Sequence, residues 1–411
     1  MRGTAWLSDS PLANRDYSLF LGGAFVSSLG SWMQSVALGW TVLQLGKSAF
    51  LLGLLGFVQT APVLVLGLLA GTLADNADRR QILLITQGAM TVLAAILAAI
   101  QGAGHATVAA LLAISLGNGI VQALNGPTWQ AFIKELVGPE QLRRAVAINS
   151  ARFNLTRIIG PAVGGWVLVV WGAAACFAAN AVSFLAVIAA IAAIRPHRDP
   201  ATIKAGPVPG NYRDVARNPN VREVLIPAIG LCVLALPYSS FLPAMAEDVF
   251  HTGASGLSIL LTATGVGAVC GAFISGSRLV ARRPGQALAV LEIVAGLALA
   301  GFALAPSFAL GIVGIVVFGA SLIGYLATAG ATLQLAAVPG TEGRALGLWM
   351  IVNSGLVPLG SLAIGAATAV VSVPVALGAA GIICAVCGVV AVYVNRRAVT
   401  RARAGKVGAL S

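Results

Sequence analysis

Apolar residues run through this chain in long unbroken stretches, separated by short polar punctuation. A hydrocarbon core of about 30 Å is crossed by roughly 20 helical residues. Twelve stretches of that order can be marked, at about 17–45, 49–73, 82–101, 107–132, 146–171, 173–194, 221–248, 254–279, 286–305, 308–335, 344–370 and 374–394. The runs are continuous, not alternating, which predicts spanning helices and not the strands of a membrane barrel. Charged or proline-bearing breaks separate most neighbours. Between the fifth and sixth stretches the only punctuation is Trp171-Gly172. The first run is too long for the apolar part of a signal peptide, and no small-residue cleavage site follows it, so it reads as the first spanning helix.

Composition sharpens this picture. Of 411 residues 58% are hydrophobic and only 9% charged, against roughly 25% charged in an average soluble protein. The mean hydropathy is +0.92. An ordinary cytosolic enzyme, a disordered chain and a secreted disulfide scaffold are all excluded. The formal net charge is +12, which in a soluble protein would suggest nucleic acid. Here the basic residues report topology instead. With the N-terminus in the cytoplasm, Lys47 alone of 25 basic residues falls outside, Arg152 and Arg157 fall within a span, and the other 22 lie on the inner side. An even number of spans then puts both termini in the cytoplasm. The expected partners are the lipid bilayer, with anionic inner-leaflet lipids as a secondary attraction, and no nucleic acid.

The longest polar stretch, about 195–220, carries Arg195, Arg198, Lys204, Arg213 and Arg217 among five prolines and reads as a cytoplasmic linker. The organisation expected is a six-helix half over 1–194, the linker over 195–220, a second half over 221–394 and a tail over 395–411. The halves echo each other. Pro139 with Arg144-Ala145 recurs as Pro339 with Arg344-Ala345. The stripe Asn118, Gln122, Asn125, Trp129 recurs as Ser321, Tyr325, Thr328, Thr332 with the same helical spacing. Together these matches indicate duplicated halves.

Few polar residues are placed to do chemistry. After the second span the chain reads Gly71-Thr-Leu-Ala-Asp75-Asn-Ala-Asp78-Arg79-Arg80. Gly71 permits close helix approach, Asp75 is placed to face a helix N-terminus or an arginine, and Arg79 and Arg80 hold the turn at the inner interface. Arg157 falls roughly 16 Å into the fifth span at about 1.5 Å per residue. A charge at that depth is a functional candidate by default, either for an acidic substrate group or for a structural ion pair. Arg152 is shallower and expected to snorkel to the inner interface. The two stripes, with Trp32, Gln34 and Ser35 of the first span and Tyr238 of the seventh, offer amides, hydroxyls and rings suited to a large amphipathic ligand. The competing reading is hydrogen-bonded glue between helices. Gly67-x-x-x-Gly71, Gly160-x-x-x-Gly164 and Gly267-x-x-x-Gly271 are small-residue packing patterns. The five cysteines lie in apolar runs and read as small packing residues. No phosphate-binding loop, metal-ligand cluster or nucleophile constellation is present, so no cofactor, no metal and no enzyme activity are expected.

The segment 71–80 resembles the loop signature of the major facilitator superfamily, Gly-x-Leu-Ala-Asp-Arg-x-Gly-Arg-Arg, with Asn76 and Asp78 departing from it. Asp78 before Arg-Arg is more similar to the subgroup of enterobactin exporters and macrolide-efflux-type transmembrane secretion effectors. So are Leu29 to Trp40, Asn125 to Pro139 and Asn149 to Gly165. The resemblance implies an all-α membrane fold of twelve helices in two pseudo-symmetric halves around a central cavity, working by alternating access. It implies Asp75 as a state-holding latch, with Arg79, Arg80 and Arg144 beside it. Gly160-Pro161-x-x-Gly164-Gly165 resembles part of the superfamily's antiporter signature, and its proline bends the helix. The expected function is export of an amphipathic small molecule, siderophore-like or macrolide-like, across the bacterial inner membrane by a monomer, with protons as the second partner. The alternatives are a lysophospholipid transporter of the same fold and a sensor without flux. Glu247, Asp248 and Glu292 are the candidate proton sites. Glu292 lies about 9 Å into the ninth span, where snorkelling to the inner interface is expected by family analogy.

Overall fold

The computed structural model describes residues 10–194, 212–336 and 342–408, and over 68–76 and 394–408, and at 139, 143, 154, 212, 220, 279, 281, 342, 343 and 346, the backbone alone. All regular structure among the described residues is helical. The twelve long helices are α1 (Arg15–Gly46), α2 (Ala49–Asn76), α3 (Arg79–Gly102), α4 (Val108–Leu136), α5 (139–171), α6 (173–193), α7 (219–249), α8 (Gly253–Ser275), α9 (Pro284–Ala303), α10 (Phe308–Ala336), α11 (342–367) and α12 (Val373–Gly408). Between α5 and α6 the helical axis is interrupted only at Gly172, with φ 80° and ψ 177°. Glycine alone adopts that region without strain, so the sparse Trp171-Gly172 punctuation is a true break. The ends are written locally. Asn14 caps α1 by accepting from the amides of Asp16 and Tyr17, Thr107 caps α4, and prolines open α5 and α9.

Two differences from the sequence reading concern helix ends. The chain beyond 394 continues as helix to Gly408, because its alanines and arginines are strong helix formers and no proline stops them. Within the expected linker, Tyr212–Arg217 forms a short helix and α7 already begins at Pro219, while 195–211 lies outside the described residues. Elements also repeat in register. α4 and α10 occupy windows of 29 residues displaced by 200 positions, and the apolar spans of α6 and α12 are displaced by the same amount.

The helices gather into two compact units. One contains α1–α6 with Leu242–Thr262; the other contains the described parts of Gly206–Phe241 and everything from Ala263 onward. In the first, α1 lies along α5 and α6, α2 along α4, and α3 against α4 and α6. In the second, α9 is flanked by α10 and α12. Close approach comes from small residues. On α8, a Cβ at Gly267 or Gly271 would strike the backbone of Val316 or Ala320 on α10, and Gly381 of α12 faces the backbone of Gly296 and Ala300 on α9. Gly67 meets nothing within 4 Å, so it is not a packing contact. Large apolar side chains such as Phe273 (79% exposed) and Leu335 (88%) point outward. That is the arrangement expected where lipid, not water, is the surrounding solvent.

Candidate functional site

The turn between α2 and α3 is organised by Asp78. Its carboxylate caps α3 by accepting from the amides of Arg80 (3.0 Å) and Gln81 (3.3 Å). The residue that departs from the family's usual glycine is therefore a helix cap. Two arginines leave this cap in different directions. Arg79 pairs with Glu135 near the end of α4. Arg80 donates from Nε to the carbonyl of Ile191 (3.2 Å) and from Nη2 to that of Ala192 (3.0 Å). Those carbonyls are the last of α6 and have no helical donor, so a guanidinium there satisfies them and complements the negative end of the helix dipole. The turn thus clamps the ends of three helices. Gly71 and Asp75 belong to the stretch for which only the helical backbone is described, so the latch assigned to Asp75 lies outside the described side chains. Arg144 is exposed on α5.

The two arginines within α5 part company. Arg152 does not snorkel to a free surface. It donates to the carbonyl of Ala24 (2.6 Å), to Ser28 Oγ and to Asn149 Oδ1 (3.2 Å), tying α5 to α1. Above it the Tyr17 hydroxyl donates to the carbonyl of Ala145 at 2.7 Å. Arg157 is half-buried, and no hydrogen bond or ion pair involves it among the described residues.

The glycines around Pro161 in α5 form a seat for α1. A Cβ on Gly160 would lie 2.5 Å from Trp32 Cβ and 2.8 Å from the indole ring, and one on Gly164 would lie 2.8 Å from Met33 Cα. Pro161 removes a backbone donor within the helix, and Ser258 Oγ approaches the carbonyls of Pro161 (3.4 Å) and Ala162 (3.5 Å). A Cβ on Gly165 would strike Ser258. Gly160, Pro161, Gly164 and Gly165 therefore fix the rim on which Trp32 is held.

The polar stripes divide between ligand-ready and committed groups. Gln122 is exposed and Asn118 half-buried. Asn125 is 7% exposed, and its oxygen accepts from Gln87 Nε2 and Thr86 Oγ1, both at 3.1 Å. Trp129 stacks on Phe20 at 4.3 Å between ring centroids. Gln34, 8% exposed, accepts from Asn180 Nδ2 at 2.8 Å. Asn125, Trp129 and Gln34 thus take part in interhelical bonding: four amides, Asn125 with Gln87 and Gln34 with Asn180, and the Trp129 ring glue α1, α3, α4 and α6 together. In the second unit the hydroxyls of Thr328 and Thr332 bond back to carbonyls one turn earlier on α10, at 2.7 Å each. Tyr238 is buried edge-on against Phe318. Tyr325 is completely buried and its hydroxyl has no partner. These side chains too sit in helix packing.

Of the proton candidates, Glu247 and Asp248 end α7 in a π-helical turn, Met245–Val249. Glu247 is half-buried, accepts from Gln44 Nε2 at 3.4 Å, and its carbonyl meets His251 Nδ1 at 3.0 Å; Asp248 is exposed. Glu292 is not at an interface: it is 0% exposed, inside α9. Among the described residues no three His, Cys, Asp or Glu side chains are arranged to hold a metal ion. Of the cysteines, Cys176, Cys232 and Cys384 are buried as expected, whereas Cys270 is exposed.

Comparison with known proteins now has geometry to attach to. The staphyloferrin A transporter of Staphylococcus aureus (strain NCTC 8325 / PS 47) is 26% identical over 265 residues, 61% of this chain and 64% of that one, so the chain spans less than two thirds of that relative. The enterobactin exporter EntS of Shigella boydii serotype 4 (strain Sb227) is 26% identical over 339 residues, 80% of this chain and 79% of that one. Among solved structures, an inward-facing, unoccupied bacterial homolog of the human lysosomal transporter Spinster superposes with a TM-score of 0.70 at 16% identity, covering 93% of this chain and 97% of that one. The nucleoside transporter NupG superposes with a TM-score of 0.67 at 14% identity, covering 92% and 97%. These structures establish the fold. The transmembrane secretion effector family matches residues 6–405, nearly the whole length, and the chain is accordingly a multi-pass membrane transporter of that family within the major facilitator superfamily.

Proposed function

We propose that this chain exports an amphipathic, anionic small molecule of siderophore type across the bacterial inner membrane, by alternating access coupled to proton antiport, as a monomer with both termini cytoplasmic. The observation that carries the reading is Arg157. Among the described residues Arg157 has no hydrogen bond or ion pair, and a half-buried guanidinium inside a spanning helix is costly unless something answers its charge. A substrate carboxylate or catecholate is the chemistry that answers it, through paired charge-assisted hydrogen bonds. Trp32, seated on Gly160 in the same helix pair, adds an aromatic face, and the exposed amide of Gln122 adds a neutral polar contact. The relatives named for enterobactin and staphyloferrin A support the siderophore class.

The test is purified protein in liposomes with an imposed pH gradient, offered enterobactin, staphyloferrin A and a neutral macrolide in parallel. Gradient-dependent accumulation of an anionic siderophore, abolished by a protonophore, is the expected result. Accumulation of the macrolide alone overturns the substrate class, and accumulation indifferent to the gradient overturns the coupling.

A further inference from the structure

The second unit contains a group that neither the clamp nor Arg157 uses. Glu292 stands in the middle of α9, with none of its surface exposed and both carboxyl oxygens unpartnered. The groups that reach it come from every helix packed on α9. α10 supplies Tyr325, whose buried hydroxyl is also unpartnered. α12 supplies Cys384 and Cys387, and α7 supplies Cys232. Among the described residues no cation pairs with Glu292: Arg213, Arg217, Arg222, Arg278, Arg282 and Arg283 are all exposed, and Arg344 lies half-buried on α11. An isolated ionised carboxylate sealed among apolar side chains costs far more than a neutral acid does. Burial without a partner therefore favours the neutral acid here.

Its surroundings are built to change. Where α7 passes Glu292 the helix carries Gly230 and then a π-helical turn, Leu231–Ala235. A Cβ at Gly230 would stand 3.3 Å from Glu292 Oε1 and 3.1 Å from Cys387 Sγ, so the absence of a side chain there leaves the acid its space. π turns are local irregularities that recur at functional sites, and one beside an unsatisfied acid gives α7 a second register close at hand. The buried acid and the buried phenol of Tyr325 both lack a hydrogen-bond partner among the described residues, and groups left so in an apolar interior favour any rearrangement that satisfies them.

We infer that Glu292 is a proton-exchanging residue of the transport cycle, protonated while sealed against Gly230 and deprotonated when the Leu231–Ala235 turn moves and admits water. The step balances: the O–H bond of the carboxylic acid breaks, the proton passes to water on one side, and the carboxylate takes a proton back from the other side before it is sealed again. The assignment rests on the proton-coupled reading above, and its test separates the two.

In the first arm, infrared spectra of the full-length protein in liposomes, over a pH series and after exchange into deuterated water, are compared for wild type, Glu292→Gln and Glu292→Asp. A protonated-carboxyl band that exchanges and titrates in wild type, is missing from Glu292→Gln and is displaced in Glu292→Asp is expected. A band that survives in Glu292→Gln, or that neither exchanges nor titrates, overturns the inference. Glu292→Asp keeps the acid and serves where Glu292→Gln does not fold. In the second arm, with enterobactin as the probe, Glu292→Gln loses gradient-driven accumulation by about tenfold or more yet keeps enterobactin counterflow, which moves no net proton. Full gradient-driven accumulation in that variant overturns the inference. Wild type that ignores the gradient overturns the coupling reading, while the infrared arm still decides whether Glu292 exchanges its proton.

Discussion

Arg152 and Arg157 lie little more than one helical turn apart on α5 and hold the same charge, yet their environments assign them different work. Arg152 answers three oxygens of its own protein; Arg157 answers none among the described residues. Arg157→Ala is therefore expected to abolish flux of an anionic siderophore in liposomes without altering the melting temperature, and Arg157→Lys to restore only part of it, since a point charge replaces a planar fork. Arg152→Ala is expected to act oppositely. Leaving the carbonyl of Ala24 and the amide oxygen of Asn149 without their donor costs about 1.5–3 kcal/mol of stability, read as thermal unfolding in detergent. Sequence alone ranked the two by depth but gave Arg152 the wrong surroundings, because Ala24 and Ser28, two of its three partners, lie on α1, more than a hundred residues away. The same limit applies to Asn125. Its position on a helical stripe was legible; Gln87, the neighbour that claims it, was not. Asp75→Asn keeps its expectation of impaired transport with normal insertion, checked by flux against expression.

At the scale of an element, the sequence located the spans well because apolar length is read directly against membrane thickness. It put Glu292 inside the ninth span and marked glycine packing patterns, but it read the acid as snorkelling and could not tell which side of most helices meets protein. In a soluble helix the polar face marks the outside, whereas here the lipid-facing and protein-facing sides are both apolar and the contrast vanishes. Glycines partly replace that lost signal, and the structure ranks them. Gly160→Ala drives a methyl group into Trp32 and is expected to destabilise by about 1–3 kcal/mol. Gly172→Ala has open space but the wrong backbone, and its cost of about 1–3 kcal/mol comes from conformation alone. Gly22→Ala, inside α1 with nothing within 4 Å, is expected to be neutral or to stabilise by up to about 1 kcal/mol. Thermal melts of the three variants in one detergent check the order.

At the scale of the whole molecule, the distribution of basic residues predicts a single orientation. A cysteine at Lys47 in a cysteine-free background is expected to react with an impermeant thiol reagent from outside intact cells, and one at Ser411 only after the membrane is opened. Labelling of both from outside would refute the shared inner placement of the termini. The clamp at the α2–α3 turn has a consequence for how such a molecule is made. Arg80 is synthesised 111 residues before its acceptor Ile191, and Arg79 56 residues before Glu135. The Arg79–Glu135 pair can form once the end of α4 is made, whereas the Arg80 contacts wait until four further helices have been made and the end of α6 arrives. The last contacts of the clamp thus depend on a segment made well after the turn itself. Nascent chains arrested before Ile191 should stay open to protease at residues 77–80, and chains arrested a few dozen residues later should be protected there, so that the first unit is sealed before α7 begins.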